Sequence, residues 1–185
     1  VIAGYAISSA LMPEVRQEFG AQMFVDKPLR ALGHLLLGGI ALGVGGLQFS
    51  RRLRVRYLQL HRWLGRIYVA AVAVSGLAAL VLAPVTPGGP AAEFGFGMLA
   101  VLWLGTTAMA FFEIRAGRLR SHQEWMIRSY ALCLAAVMLR IYLPFGVASV
   151  GFDVFYPAVA WLCWVPNLVV AEWVVIPMTR RTAAA

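Results

Sequence analysis

Three histidines, His34, His61 and His122, are the residues best suited to chemistry in this otherwise apolar chain. An imidazole can ligate a metal or a haem iron, carry a proton, or help to hold an anion. His61 opens the run His61-Arg62-Trp63-Leu64-Gly65-Arg66-Ile67-Tyr68. His122 opens the run His122-Gln123-Glu124-Trp125-Met126-Ile127-Arg128-Ser129-Tyr130. Both read as a histidine followed by W-x-x-R-x-Y, with one extra residue after the second histidine. Three chemistries fit these residues. The first is a b-type haem held between His61 and His122 from different helices, with Arg62, Arg66 and Arg128 pairing with the propionates. The second is a metal ion. Zinc or copper wants three or four ligands, and only Glu124 stands near the two histidines, so no metal site is assigned. The third is a rim of His61, His122, Arg62, Arg66, Arg120 and Arg128 that binds a lipid headgroup or another anion. Against all three stands a plainer reading, in which these histidines sit at the interface, cap helix starts and do no chemistry. His34 lies towards the other side of its span, so it joins none of these sites and has no partner for a second haem. Hydrolase and nucleotide signatures (G-x-S-x-G, H-E-x-x-H, the P-loop) do not occur.

The elements that carry these residues follow from composition. Of 185 residues, 61% are hydrophobic, and the mean hydropathy is +0.77. A soluble domain is about 45–50% apolar, so the excess is too large for one water-soluble core. Disorder, collagen, coiled coil and a disulfide scaffold are excluded on the same ground. What remains is an all-α integral membrane protein, a six-helix bundle forming one transmembrane domain over residues 1–185. A bilayer crossing takes about 20 apolar residues. Five full spans are predicted, at about 31–49, 63–84, 94–112, 125–143 and 155–177. Residues 1–13 are apolar but too short, and the chain begins at Val1, so they are read as the outer end of a helix whose start is missing. With no basic leader ahead of them, they do not resemble a cleavable signal peptide. No segment outside the spans is long enough for a soluble catalytic domain.

The net charge is +8, but the basic residues cluster in short turns between apolar runs, which is the pattern of membrane topology and not of nucleic-acid binding. Arg51, Arg52, Arg54, Arg56, Arg62, Arg66, Arg115, Arg118, Arg120, Arg180 and Arg181 share one side under alternating spans. The other side carries Arg16, Lys27 and Arg30, diluted by Glu14, Glu18, Asp26, Glu93 and Asp153. The arginine-rich side is therefore expected to be cytoplasmic, with both termini inside. Cys133 and Cys163 fall mid-span without C-x-x-C spacing and read as small apolar residues.

The two histidine motifs also suggest a duplicated helical hairpin, 30–84 and 93–143, of the parallel-repeat kind. The competing reading is convergence on an interfacial pattern of Trp, Tyr and snorkelling Arg. Helical spacing assigns faces. His34, Gly38, Ala41, Gly45 and Gln48 form a stripe of small residues between two polar ones, suited to close packing or to a flat ligand. His61, Gly65, Tyr68, Val72, Ser75 and Ala79 share a face, as do His122, Met126, Ser129, Cys133 and Arg140. Ionisable residues inside spans are costly and often functional. Here they are His34, Arg128, Arg140 and Glu172. Glu172 is expected at the depth of Arg128, which would let the two charges neutralise each other. Pro166 interrupts its helix, and Asn167 can help to repair the ladder.

The two histidine motifs, Arg140 and the run Trp161-Leu162-Cys163-Trp164-Val165-Pro166-Asn167-Leu168-Val169-Val170-Ala171-Glu172 together resemble the bacterial multi-pass membrane family catalogued as domain of unknown function 2306. The likeness covers roughly residues 30–175. It implies the topology and a bacterial inner-membrane location, and it brings no activity with it. Three functions stay open. One is electron transfer through haem b. Another is an accessory or scaffold subunit that contacts other membrane proteins through the glycine-rich span at 31–49 and the Trp161–Trp164–Trp173 face. The last is a small transporter or lipid-binding protein using Arg128, Arg140 and Glu172. The lipid bilayer is the expected partner in each case, and nucleic acid in none.

Overall fold

The computed structural model describes residues 28–182, all of whose regular elements are helical. The partial span expected at residues 1–13 lies outside the described residues. Five helices are long and apolar enough to cross a membrane: Leu29–Gln48, Leu58–Val85, Gly89–Arg115, Leu119–Val150 and Phe152–Arg181. They match the five predicted spans in order. Most ends run several residues further, into polar, basic stretches such as 58–62 and 119–124 and into the Gly- and Pro-bearing segments 89–93 and 144–150. The chain divides into two compact units, one through Leu82 and one from Ala83.

The first unit is an antiparallel hairpin of α1 (Pro28–Gln48) and α3 (Leu58–Leu82), joined by the short α2 (Arg51–Arg56). The small-residue stripe on α1 faces α3. Ala41 is fully buried, and so are Tyr68, Val72 and Ser75 opposite. The register is pinned at both ends. The His34 ring Nδ1 lies 3.1 Å from the Ser75 carbonyl oxygen, and the Ser75 hydroxyl donates to the His34 carbonyl at 2.9 Å. At the other end Gln48 Nε2 donates to the His61 carbonyl at 3.3 Å. Gly38 permits this approach, since a Cβ there would lie 3.2 Å from Ser75 Oγ. The stripe is thus a helix-packing seam whose polar ends are satisfied across the hairpin, as small residues allow in lipid.

The second unit has three spans. α4 (Gly89–Arg115) turns at Gly117, whose φ of 76° favours glycine, into α5 (Leu119–Cys133) and its continuation α6 (Ala135–Val150). Arg118 in this turn donates from Nε and Nη2 to Glu113 at 2.6 and 2.7 Å. That hydrogen bonding raises the guanidinium pKa above its ordinary value. A second reversal at Gly151 leads into the last span, which is not one smooth helix. It comprises α7 (Phe152–Leu162), α8 (Val165–Val170), a π-helical turn (Ala171–Val175) and α9 (Ile176–Thr182). The break after Leu162 precedes Pro166, which has no N–H to give the ladder. Asn167 Nδ2 covers the gap, donating to the Cys163 carbonyl at 3.0 Å and to Ala131 on α5 at 3.3 Å. α7 lies close against α4 at Gly95, where a Cβ would come within 3.0 Å of Ala160 and Trp161. The Trp161 indole N–H donates to the Ala91 carbonyl beside it at 3.0 Å.

Candidate functional site

The two histidine motifs adopt the same local design. His61 and His122 are each the fourth residue of their helix, α3 and α5. Each follows an arginine-bearing turn and an antiparallel helix. In each motif the arginine one turn on lies over the tryptophan ring: Arg66 is 4.8 Å from the Trp63 centroid, and Arg128 is 4.6 Å from that of Trp125. W-x-x-R places the two side chains at i and i+3, where they meet on a helix surface. A repeat seen in sequence over a few residues therefore extends to helix register and side-chain contacts.

The ring environment is best defined at His122. Its Nδ1 lies 2.8 Å from the carbonyl oxygen of Ala110 in the penultimate turn of α4. A carbonyl can only accept, so Nδ1 carries a proton, and in the neutral form of the ring Nε2 is the nitrogen with the lone pair. Such an arrangement fixes the tautomer and ring orientation of ligating imidazoles. The ring is half-buried. Below it, the same faces of α4 and α5 are joined by a hydroxyl pair, Thr107 Oγ1 and Ser129 Oγ at 2.7 Å. Thr107 also donates to the Trp103 carbonyl at 2.7 Å. Trp103 is buried, and its indole N–H has no hydrogen-bond partner among the described residues.

Arg128 is engaged with Glu172. Its Nε donates to one carboxylate oxygen and its Nη2 to the other, the latter at 3.0 Å. The depth-matched pair expected from sequence is therefore formed, with Glu172 carried on the π-helical turn. Two of Arg128's N–H groups are committed to that carboxylate, which leaves the rest of the fork for any further anion. Nearby, Arg180 on α9 donates from Nε and Nη2 to Glu124 at 2.7 Å each. Glu124 is thus held by α9 instead of standing ready as a metal ligand.

The other predicted residues fall as follows. His61, half-buried, belongs to the first unit, and its carbonyl accepts from Gln48. Arg62 and Arg66 are exposed. His34 is tied to Ser75. Arg140 donates from Nη1 to the Ala136 carbonyl at 2.8 Å, turning back on its own helix. Asn167 bridges α5 and the last span. Among the described residues no three His, Cys, Asp or Glu side chains gather to hold a metal ion. Sequence reasoning missed Thr107, Ser129 as its partner, and the Ala110 carbonyl. Thr107 is a hydroxyl in the apolar middle of its span, buried beside Trp103 and Ala110, and that polar residue within an apolar run is the signal that would have found it.

The family model described as "Predicted membrane protein (DUF2306)" matches residues 31–175. No curated protein and no solved structure matches the chain.

Proposed function

The chain belongs to this DUF2306 family of predicted membrane proteins, and on that premise we propose that it binds a b-type haem, which His122 would help to hold. One observation carries the reading: Nδ1–H of His122 is donated to the Ala110 carbonyl at 2.8 Å, so the neutral ring offers Nε2 as a lone pair. The donor chemistry fits haem iron, which takes neutral imidazole from helical bundles. A haem bound there would supply one-electron transfer chemistry. The protein's part is to orient and exclude. Ala110 holds the ring, and Arg128 lies two turns further along α5 with part of its fork uncommitted for a propionate. The same reading places the chain in a bacterial inner membrane with its arginine-rich turns on the cytoplasmic side.

The test is a haem titration of the detergent-purified chain, followed by absorption. Wild type is expected to develop a Soret band distinct from that of free haem, with the α/β bands of a low-spin haem if His61 is the second ligand. His122→Ala is expected to lose them, and His61→Ala tests the sequence-based pairing of His61 with His122. A folded protein that gives only the spectrum of free haem, or a His122→Ala variant that binds like wild type, overturns the reading.

A further inference from the structure

The described part of the first unit has a charge excess that its own side chains do not offset. Between residues 28 and 82 there are seven arginines (30, 51, 52, 54, 56, 62 and 66) and no Asp or Glu. The ion pairs among the described residues use Arg118, Arg128 and Arg180, all of the second unit. Six of the seven arginines lie on α2 and the start of α3, a stretch that joins the ends of two spans and so sits at a membrane boundary. Within it, Arg52 and Arg56 are one helical turn apart, as are Arg62 and Arg66. All four are exposed. Apolar and aromatic side chains stand exposed among them, Val55 at 76% and Tyr57 at 45%. The Arg56 guanidinium is 5.8 Å from the Tyr57 ring centroid. Guanidinium beside exposed aromatic and aliphatic surface is the composition of a segment lying in the headgroup layer.

The residue type adds a second argument. Lys27 is the chain's one lysine, and every basic residue after it is arginine. Orientation in the membrane is set by Lys and Arg alike. The planar fork of arginine differs from lysine in binding phosphate oxygens two at a time.

We propose that α2 and the first turns of α3 form an arginine collar that binds the phosphates of anionic phospholipids. The lipid supplies the negative charge that residues 28–82 lack, and the exposed Val55 and Tyr57 rest among the adjoining acyl and glycerol groups. This goes beyond haem binding and does not depend on it.

The experiment uses the full chain in nanodiscs of equal parts phosphatidylglycerol and phosphatidylcholine, released into native mass spectrometry. Wild type is expected to retain phosphatidylglycerol in preference to phosphatidylcholine. The preference should fall about fivefold for each arginine removed in Arg52→Gln/Arg56→Gln, the scale of one basic residue at an anionic surface. Arg52→Lys/Arg56→Lys is expected to recover only part of it. Equal retention of the two lipids by wild type overturns the proposal, and this arm needs no variant to fold. Unchanged preference in the Gln variant overturns it too. A Lys variant equal to wild type removes the phosphate-fork argument and reduces the collar to an orientation signal. Displacement of the lipid by inorganic phosphate at equal concentration would assign the site to a free anion and overturn the lipid reading.

Discussion

The Arg128–Glu172 pair allows a quantitative test of how the second unit is held together. Two N–H groups of Arg128 reach the two oxygens of Glu172, and the guanidinium also lies 4.6 Å from the Trp125 centroid. The side chains are 17% and 38% exposed, respectively. Removing one partner of a fully buried pair costs about 3–5 kcal/mol, whereas an exposed pair is worth about 0–1 kcal/mol. Partial exposure places Glu172→Gln between these limits, at about 2 kcal/mol. Arg128→Gln should cost somewhat more, because the stacking on Trp125, about 0.5–1 kcal/mol, is lost as well. Arg128→Met/Glu172→Met removes both charges and keeps the volume, so it should cost less than either single change. The double-mutant cycle Arg128→Met, Glu172→Met should therefore give a coupling energy of about 2.5–3 kcal/mol. Reversible unfolding of the purified chain in mild detergent, followed by far-ultraviolet circular dichroism, measures it. Additive effects, with coupling below about 0.5 kcal/mol, would refute the view that this pair joins α5 to the last span.

Two further outcomes follow from the packing. Ser75→Ala removes the hydroxyl bond to the His34 carbonyl and should destabilise by about 0.6–1.7 kcal/mol, the range for hydrogen bonds between membrane helices; no loss on the same unfolding assay would argue against the α1–α3 register. Gly95→Val puts a branched side chain where even a Cβ would be 3.0 Å from Ala160 and Trp161. It should cost about 1–3 kcal/mol by overpacking, detectable as a lowered midpoint, and a neutral Gly95→Val would mean that α4 and α7 are not this close.

Much of this architecture is legible in the residue pattern, for physical reasons that also mark its limits. Helical spacing identified the buried face of α3, and Tyr68, Val72 and Ser75 lie there with no exposure. Depth counting anticipated Arg128 with Glu172, since two opposite charges in lipid must find each other. The repeated W-x-x-R is legible because i and i+3 contacts are local. What escaped were partners with no residue-type signature or a long sequence separation. The oxygen that orients His122 is a backbone carbonyl, identical in every residue, so no spacing rule points to Ala110. Glu124 meets Arg180, 56 residues on, a distance over which periodicity says nothing. Pro166 marked the break after Leu162, whereas the break at Leu134 and the π-helical turn at Glu172 have no proline or glycine at them to signal it.

The central claim is that His122 donates Nδ1–H to the Ala110 carbonyl, which leaves Nε2 as the nitrogen that would take a ligand. Histidine-selective nitrogen-15 NMR of the purified chain, compared with His122→Ala and repeated with haem added, tests it most directly. The ring signals lost in the variant should be those of an Nδ1–H tautomer, and haem should shift or broaden the Nε2 signal of that same ring. An Nε2–H tautomer or an imidazolium at His122, or ring signals that haem leaves untouched, would contradict the account.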